Sequence, residues 1–204
     1  LACEWGAIRL FRNNAGRFTE WDPAVRWRNS PSPNAPRSTL SALTGFWNGM
    51  AVGDFDGDGR LDLVASNWGR NWRTDGPAGV ESPVHLLYGD FADRGIVETV
   101  LASADAQLSK VTPWRERKVM AAAIPSLAER LPSHHAYGRA SVQEVLGDKA
   151  AAARELQATT FDSMVFLNRG DHFEAWSLPI EAQFAPAFGV SVADFDGDGD
   201  DDVF

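Results

Sequence analysis

The chain has 204 residues, a formal net charge of -9, 44% apolar residues including eight Trp and twelve Phe, and a single cysteine, Cys3. That is enough apolar mass to bury a core. One cysteine excludes an intrachain disulfide, the lack of a basic stripe argues against nucleic acid as a partner, and no run approaches the roughly 18 apolar residues of a membrane span. The start, Leu1-Ala2-Cys3-Glu4-Trp5, lacks an initiator Met and a signal-peptide pattern, so the sequence is expected to be a piece of a longer protein.

In chain order, residues 7–21 are two alternating runs around Asn13-Asn14-Ala15-Gly16, a hairpin signal. Residues 22–45 carry Pro23, Pro31, Pro33 and Pro36 without a sustained period and are expected to form a connecting loop. An apolar strand over 46–52 leads into Asp54-Phe55-Asp56-Gly57-Asp58-Gly59-Arg60-Leu61-Asp62, and a second strand over 61–66 leads out. The tip that follows holds Trp68, Arg70, Trp72 and Arg73, a set able to stack on a sugar or grip an anion; burial of the rings against a neighbouring element is the favoured reading. A second hairpin is expected over 84–100, with His85 in strand alternation, and a third over 164–176 around Asn168-Arg169-Gly170. Between them, short helices are expected over 114–124, 127–131, 141–146 and 149–156, with Ser141 and Asp148 as N-caps and Gly147 as a stop. His134 and His135 read as an ordinary polar turn, because no Cys or further His follows at ligand spacing. No nucleophile elbow surrounds Ser163, which argues against acyl chemistry there.

The acidic loop returns as Asp194-Phe195-Asp196-Gly197-Asp198-Gly199-Asp200-Asp201-Asp202. Asp54, Asp56, Asp58 and Asp62 stand at relative positions 1, 3, 5 and 9, and Asp194, Asp196, Asp198 and Asp202 repeat that spacing. Carboxylates so dense repel one another at neutral pH, and a hard divalent ion that takes six to eight oxygens at about 2.3–2.6 Å removes the repulsion. Gly59 and Gly199 at position 6 permit the sharp turn, and the position-7 carbonyls of Arg60 and Asp200 would complete the shell. Position 12 is Ala65, not the bidentate Glu of an EF-hand, and the flanks alternate as strands. Calcium at two sites is therefore the expected cofactor.

Hairpins recur at roughly 76–80 residues, while the acidic loops lie about 140 residues apart, so one loop is missing where the helices fall. An acidic turn between two strands followed by a hairpin makes a four-stranded antiparallel sheet, and such sheets stack radially as propeller blades. The expected fold is mainly β: a partial β-propeller of four-stranded antiparallel blades with a short helical insertion. Residues 1–21 would end one blade, 22–45 connect, 46–101 form a blade with a calcium loop, 102–180 a blade with the helical insertion at about 113–157, and 181–204 start a further blade with its own calcium loop.

The stretches 53–63 and 193–203 resemble the FG-GAP/VCBS repeat, the calcium-bearing blade of integrin α-subunit propellers and many bacterial surface proteins. More loosely, residues 161–170 leading to 179–186 look like bacterial relatives of cartilage acidic protein, which often end in an ASPIC/UnbV domain that this sequence does not contain. The resemblance implies calcium ligation by Asp54, Asp56, Asp58, the Arg60 carbonyl and Asp62, and by Asp194, Asp196, Asp198, the Asp200 carbonyl and Asp202. It also implies an extracellular, periplasmic or cell-surface location, a protein or glycan ligand, and a non-enzymatic binding, adhesion or scaffold role, with the rest of the propeller outside this sequence. An enzyme whose site lies on the loop face is the alternative, since fold does not decide function.

Overall fold

Period-2 alternation and Gly/Asn turns produce most of the regular structure, and a computed structural model of the chain describes residues 1–28, 38–71 and 82–204. In order come β1 (Glu4–Gly6), β2 (Leu10–Asn14), β3 (Arg17–Trp21), β4 (Ala24–Trp27), β5 (Ser38–Thr39), β6 (Gly45–Phe46), β7 (Gly49–Gly53) and β8 (Asp62–Ser66). These are followed by β9 (Val84–Gly89), β10 (Glu98–Asp105), β11 (Lys110–Pro113), α1 (Arg117–Ala123), α2 (Leu127–Arg130), α3 (His134–Gly138) and α4 (Val142–Leu146). Last are β12 (Arg154–Ala158), β13 (Met164–Asn168), β14 (His172–Ser177), β15 (Val192–Ala193) and β16 (Asp202–Val203). The fold is mainly β and propeller-like, with the α-helices confined to one interval.

Two units divide the chain: Leu1–Trp72 with Thr160–Phe204, and Arg73–Thr159. The first is built on a sheet of order β5-β4-β14-β13-β8-β7, antiparallel throughout except for the parallel β14–β4 pair. Its middle, β7-β8-β13-β14, is a four-stranded antiparallel sheet with Val52 opposite Leu63 and Leu63 opposite Phe166. Because successive side chains alternate between faces, this sheet is apolar on both sides. Leu63, Ala65, Met164, Phe166 and Phe173 join Val25, Leu40 and Trp47 in one core cluster, while Val64, Val165 and Leu167 form another with Ala51, Trp176 and Val192 packed on it.

Strand partnership departs from chain order. The blade expected over 46–101 is divided: β8 pairs with β13, and β9 and β10 belong to the other unit. The residues of β8 are buried along the whole strand, and so are Met164–Leu167 of β13, so each needs a neighbour with two covered faces. The expected loop over 22–45 also contributes β4, whose Val25 is fully buried beside β14, because the parallel pair closes the sheet edge that β14 would otherwise expose. Local signals did hold at the first hairpin. Ala15 (φ 53°) and Gly16 (φ 89°) take the left-handed pair of a type I′ turn, and the Gly16 amide donates to Asn13 Oδ1 at 2.8 Å.

Where the chain leaves this unit and returns to it, Asn67 acts as a clasp. Its buried side chain accepts from the amides of Phe46 (3.1 Å) and Trp68 (2.9 Å) and donates to the Thr160 carbonyl (3.0 Å). The Gly69 amide donates to the Phe161 carbonyl at 2.7 Å, and Trp68 stacks on Phe46 with centroids 4.2 Å apart. Of the expected aromatic and basic tip, Trp68 is thus half-buried in a ring stack and Arg70 pairs with Asp162 through an Nε–Oδ1 bond of 2.7 Å; Trp72 and Arg73 lie outside the described residues.

Burial opposes the charge on Asp162, but hydrogen bonds from Arg70 and Ser177 outweigh it and hold the carboxyl below its ordinary value. A depressed folded pKa contributes stability that is present above the unfolded value of about 3.9 and is lost as pH falls through the folded value. Asp162→Asn is therefore expected to flatten the decline in urea midpoint on acidification below about pH 4. A decline as steep as in the parent would mean that other carboxylates carry the acid limb.

The second unit sets the sheet β11-β10-β9-β12 against α1–α4, with Leu87, Val100 and Ala102 clustering with Met120, Ile124, Leu127, Val142, Val145 and Leu146. Ser141 forms a full capping box: Ser141 Oγ accepts from the Glu144 amide (3.1 Å) and Glu144 Oε2 accepts from the Ser141 amide (2.6 Å). The Ser141 hydrogen bonds, with Lys110 beside them, pull the Glu144 carboxyl down to about 2. The helix expected over 149–156 is not formed. Gly147–Ala152 is a 3-10 helix, and Arg154–Ala158 becomes an edge strand on β9. Pairing an otherwise open backbone edge outweighs the helix preference of the alanine run.

Candidate metal centre

The connection between β7 and β8 is shaped by its own carboxylates. Asp54 Oδ1 accepts from the Asp58 amide (3.1 Å), Asp54 Oδ2 from the Gly59 amide (2.8 Å), and Asp58 Oδ1 from the Arg60 amide (2.9 Å). Asp62 Oδ2 closes the loop by accepting from the Phe55 amide at 3.0 Å. Gly57 (φ 69°) and Gly59 (φ 81°) supply the left-handed backbone that carries the chain around the centre.

The connection between β15 and β16 repeats these four bonds and adds one from the Gly197 amide to Asp194 and one from the Asp198 amide to Asp196. Asp194 accepts from the Asp198 amide (3.0 Å) and the Gly199 amide (3.1 Å), Asp198 from the Asp200 amide (3.0 Å), and Asp202 from the Phe195 amide (2.9 Å). Gly197 (φ 81°) and Gly199 (φ 96°) take the matching backbone.

Carboxylate oxygens of Asp54, Asp56 and Asp58 lie within 4.8 Å of one another, and so do those of Asp194, Asp196 and Asp202. Two oxygens on opposite sides of an ion at about 2.4 Å are separated by about that distance, and an all-oxygen set suits a hard divalent cation. The donor chemistry therefore fits. Positions 1 and 3 converge in both loops, joined by position 5 in the first and position 9 in the second; Asp62 and Asp198 stand outside these triads. Asp62 is fully buried, and its second oxygen accepts from the Asn168 amide at 2.7 Å. Burial, with Asp56 and Asp58 nearby, pushes its carboxyl up. Arg60 and Asp200 occupy position 7 with their amides donated to Asp58 and Asp198.

Three features of the site were invisible in the loop motif. Arg169, in the β13–β14 turn, pairs with Asp56 and lies 3.3 Å from Asp58, while Glu174 holds its other side at 2.8 Å. The Arg60 side chain pairs with Asp58 and donates from Nε to the Asn168 carbonyl at 2.7 Å. Asp201 Oδ2 accepts from the Asp54 amide at 2.8 Å, and a Cβ on Gly53 would meet that same oxygen and Val192 Cγ1 at 2.8 Å, so the two loops meet across a glycine. The Asn168-Arg169-Gly170 turn signalled a hairpin, but nothing in the sequence linked it to Asp56.

The remaining candidates take structural positions. Ser163 is buried with Oγ accepting from the Asn67 amide at 3.1 Å; His85 pairs with Glu155 at 2.5 Å; and His134 and His135 lie in α3, capped by Ser133. Neither histidine joins a metal-binding group among the described residues. Also among the described residues, no helix is long and apolar enough to cross a membrane.

A four-stranded antiparallel sheet buried on both faces, with an acidic loop in its first hairpin and a second copy of that loop beside it, defines a β-propeller-type repeat module. Residues 46–79 match the family model described as FG-GAP repeat, and the chain carries an FG-GAP repeat there. No curated protein and no solved structure matches the chain. The second loop lies outside the matched residues.

Proposed function

We propose that this chain is a segment of a calcium-stabilised β-propeller that acts outside the cytosol, in the extracellular space, the periplasm or at the cell surface, as a non-enzymatic binding, adhesion or scaffold module. The observation that carries this reading is the duplicated loop scaffold, with the same amide-to-carboxylate bonds and the same glycine backbone at both places. FG-GAP repeats often bind calcium and are typical of extracellular or surface proteins, which supports both the metal and the location. The ligand sets are Asp54, Asp56, Asp58, the Arg60 carbonyl and Asp62 in the first loop, and Asp194, Asp196, Asp198, the Asp200 carbonyl and Asp202 in the second.

When bound, the ion supplies positive charge that relieves repulsion among the carboxylates. The chain's own residues do the rest: Asp54 and Asp194 hold the turn, and Asp62 and Asp202 tie the outgoing strand to the incoming one. At free calcium about a hundredfold above the dissociation constant, linkage adds about 2.7 kcal/mol per site. Sites of such modest affinity suit compartments where calcium is plentiful. In this reading one blade comprises residues 46–71 and 160–178, with the Arg73–Thr159 unit inserted between its second and third strands, and the 192–203 hairpin opens the next. The recognised partner would be a protein or a glycan.

Calorimetric titration of the chelator-stripped chain with Ca²⁺, paired with thermal melts, tests this. Two binding events and a melting temperature that rises with calcium are expected. Absence of binding at millimolar Ca²⁺, or binding that leaves the melt unchanged, would sink the structural-calcium reading.

A further inference from the structure

The two loops share a scaffold but not an electrostatic setting. Arg169 places its guanidinium against Asp56 and 3.3 Å from Asp58, and Arg60 pairs with Asp58, so two fixed positive charges stand on carboxylates of the first loop. Among the described residues no ion pair reaches Asp194, Asp196, Asp198, Asp200 or Asp202. Arg169 comes from a turn more than a hundred residues away in sequence, and the β8–β13 pairing delivers it to the loop.

We propose that Arg169, assisted by Arg60, is a tethered counter-cation that competes with calcium at the first loop, so that the second loop loads at lower calcium and the first only at higher. This inference rests on the calcium reading above and adds an order of loading to it. The guanidinium sits at Oδ2 of Asp56 and 3.3 Å from Oδ2 of Asp58, on two of the three carboxylates that would converge on the ion, so its charge opposes the entry of a second cation there. Withdrawal leaves Arg169 with a partner, because Glu174 Oε2 already accepts from Nη2 at 2.8 Å and from Nε at 3.1 Å. Arg169 is also part exposed, with 29% of its side chain accessible, which gives it room to move. Without calcium the same contacts offset part of the negative charge of the first loop, and among the described residues the second loop has no such substitute. A unit charge about 4 Å from a divalent ion changes binding on the order of thirtyfold at the screening of bulk water, and less as salt screens it and the side chain swings away, so the competition is measurable.

The test is Ca²⁺ calorimetry on the full chain with one loop disabled at a time. Asp194→Asn with Asp196→Asn isolates the first loop, and Asp54→Asn with Asp56→Asn isolates the second. The expected result is a dissociation constant for the first loop about tenfold above that of the second. Adding Arg169→Gln to the first-loop reporter is expected to tighten binding about tenfold, while leaving the second loop unchanged. Arg169→Lys, which keeps the charge but loses the fork, is expected to give a smaller gain. If Arg169→Gln does not fold, Glu174→Gln serves instead: removing the fallback partner is expected to weaken first-loop binding several-fold. First-loop affinity that is unchanged or weaker in Arg169→Gln, or unchanged in Glu174→Gln, overturns the proposal and leaves the calcium reading standing. Failure of both loops to bind Ca²⁺ overturns the two together.

Discussion

Asn67→Leu is expected to destabilise the protein by about 3–6 kcal/mol, because leucine keeps the branching of asparagine at Cγ but none of its polarity. Three partners lose these hydrogen bonds at once: the buried Phe46 amide and Thr160 carbonyl and the half-buried Trp68 amide. Each unsatisfied buried group costs about 1–3 kcal/mol, and the half-buried one costs less. Gly45 confirms how tightly the site is built, since a Cβ there would meet the Thr160 carbonyl at 2.4 Å and Asn67 Nδ2 at 2.8 Å. The substitution loosens the place where residues 67–71 and 160–163 are held together, so its effect should spread to the Gly69–Phe161 bond and the Arg70–Asp162 pair. Urea denaturation followed by tryptophan fluorescence reads the loss. A cost below about 1 kcal/mol would show that backbone pairing alone closes the clasp.

Phe166→Ala is expected to cost about 4 kcal/mol, the range for truncating a buried phenylalanine that leaves a cavity. Phe166 has no exposed surface, sits opposite Leu63 on the β8–β13 pair, and meets Trp47 edge-to-face with centroids 6.0 Å apart. Strand pairing on both sides of β13 limits collapse around the void. Because Leu63 follows Asp62 directly, the substitution also tests whether the sheet core supports the first loop: Ca²⁺ affinity at that loop is expected to fall along with the urea midpoint. A full loss of stability with unaltered affinity would show that the loop's hydrogen bonds hold it without the core.

The parts of the fold legible from sequence are those whose cause is local. The acidic loops could be read because their carboxylates and glycines fall within nine residues, and the structure gives both copies one scaffold. The hairpins at 10–21, 84–105 and 164–177 could be read because alternation and turn chemistry act between neighbours. Ser141 could be read as a cap because its partner, Glu144, is three residues on.

What stayed hidden depends on distant partners. The unbroken apolar runs of β8 and β13 say that each must be covered on two faces, but not that the two strands pair although residues 73–159 separate them in sequence. The 22–45 stretch has loop composition, yet Val25 is drawn into the core by an edge that only the folded sheet presents. Residues 154–158 have helical preferences worth a few tenths of a kcal/mol each, which an unpaired β9 edge overrides. The sequence by itself determined the mainly-β class, the hairpins and the carboxylates able to hold a cation, since each arises from spacing along the chain. Only the tertiary structure decided which strands share a sheet, that Asp201 joins the two loops, and that Arg169 guards one of them, since these are contacts between groups that nothing but folding brings together.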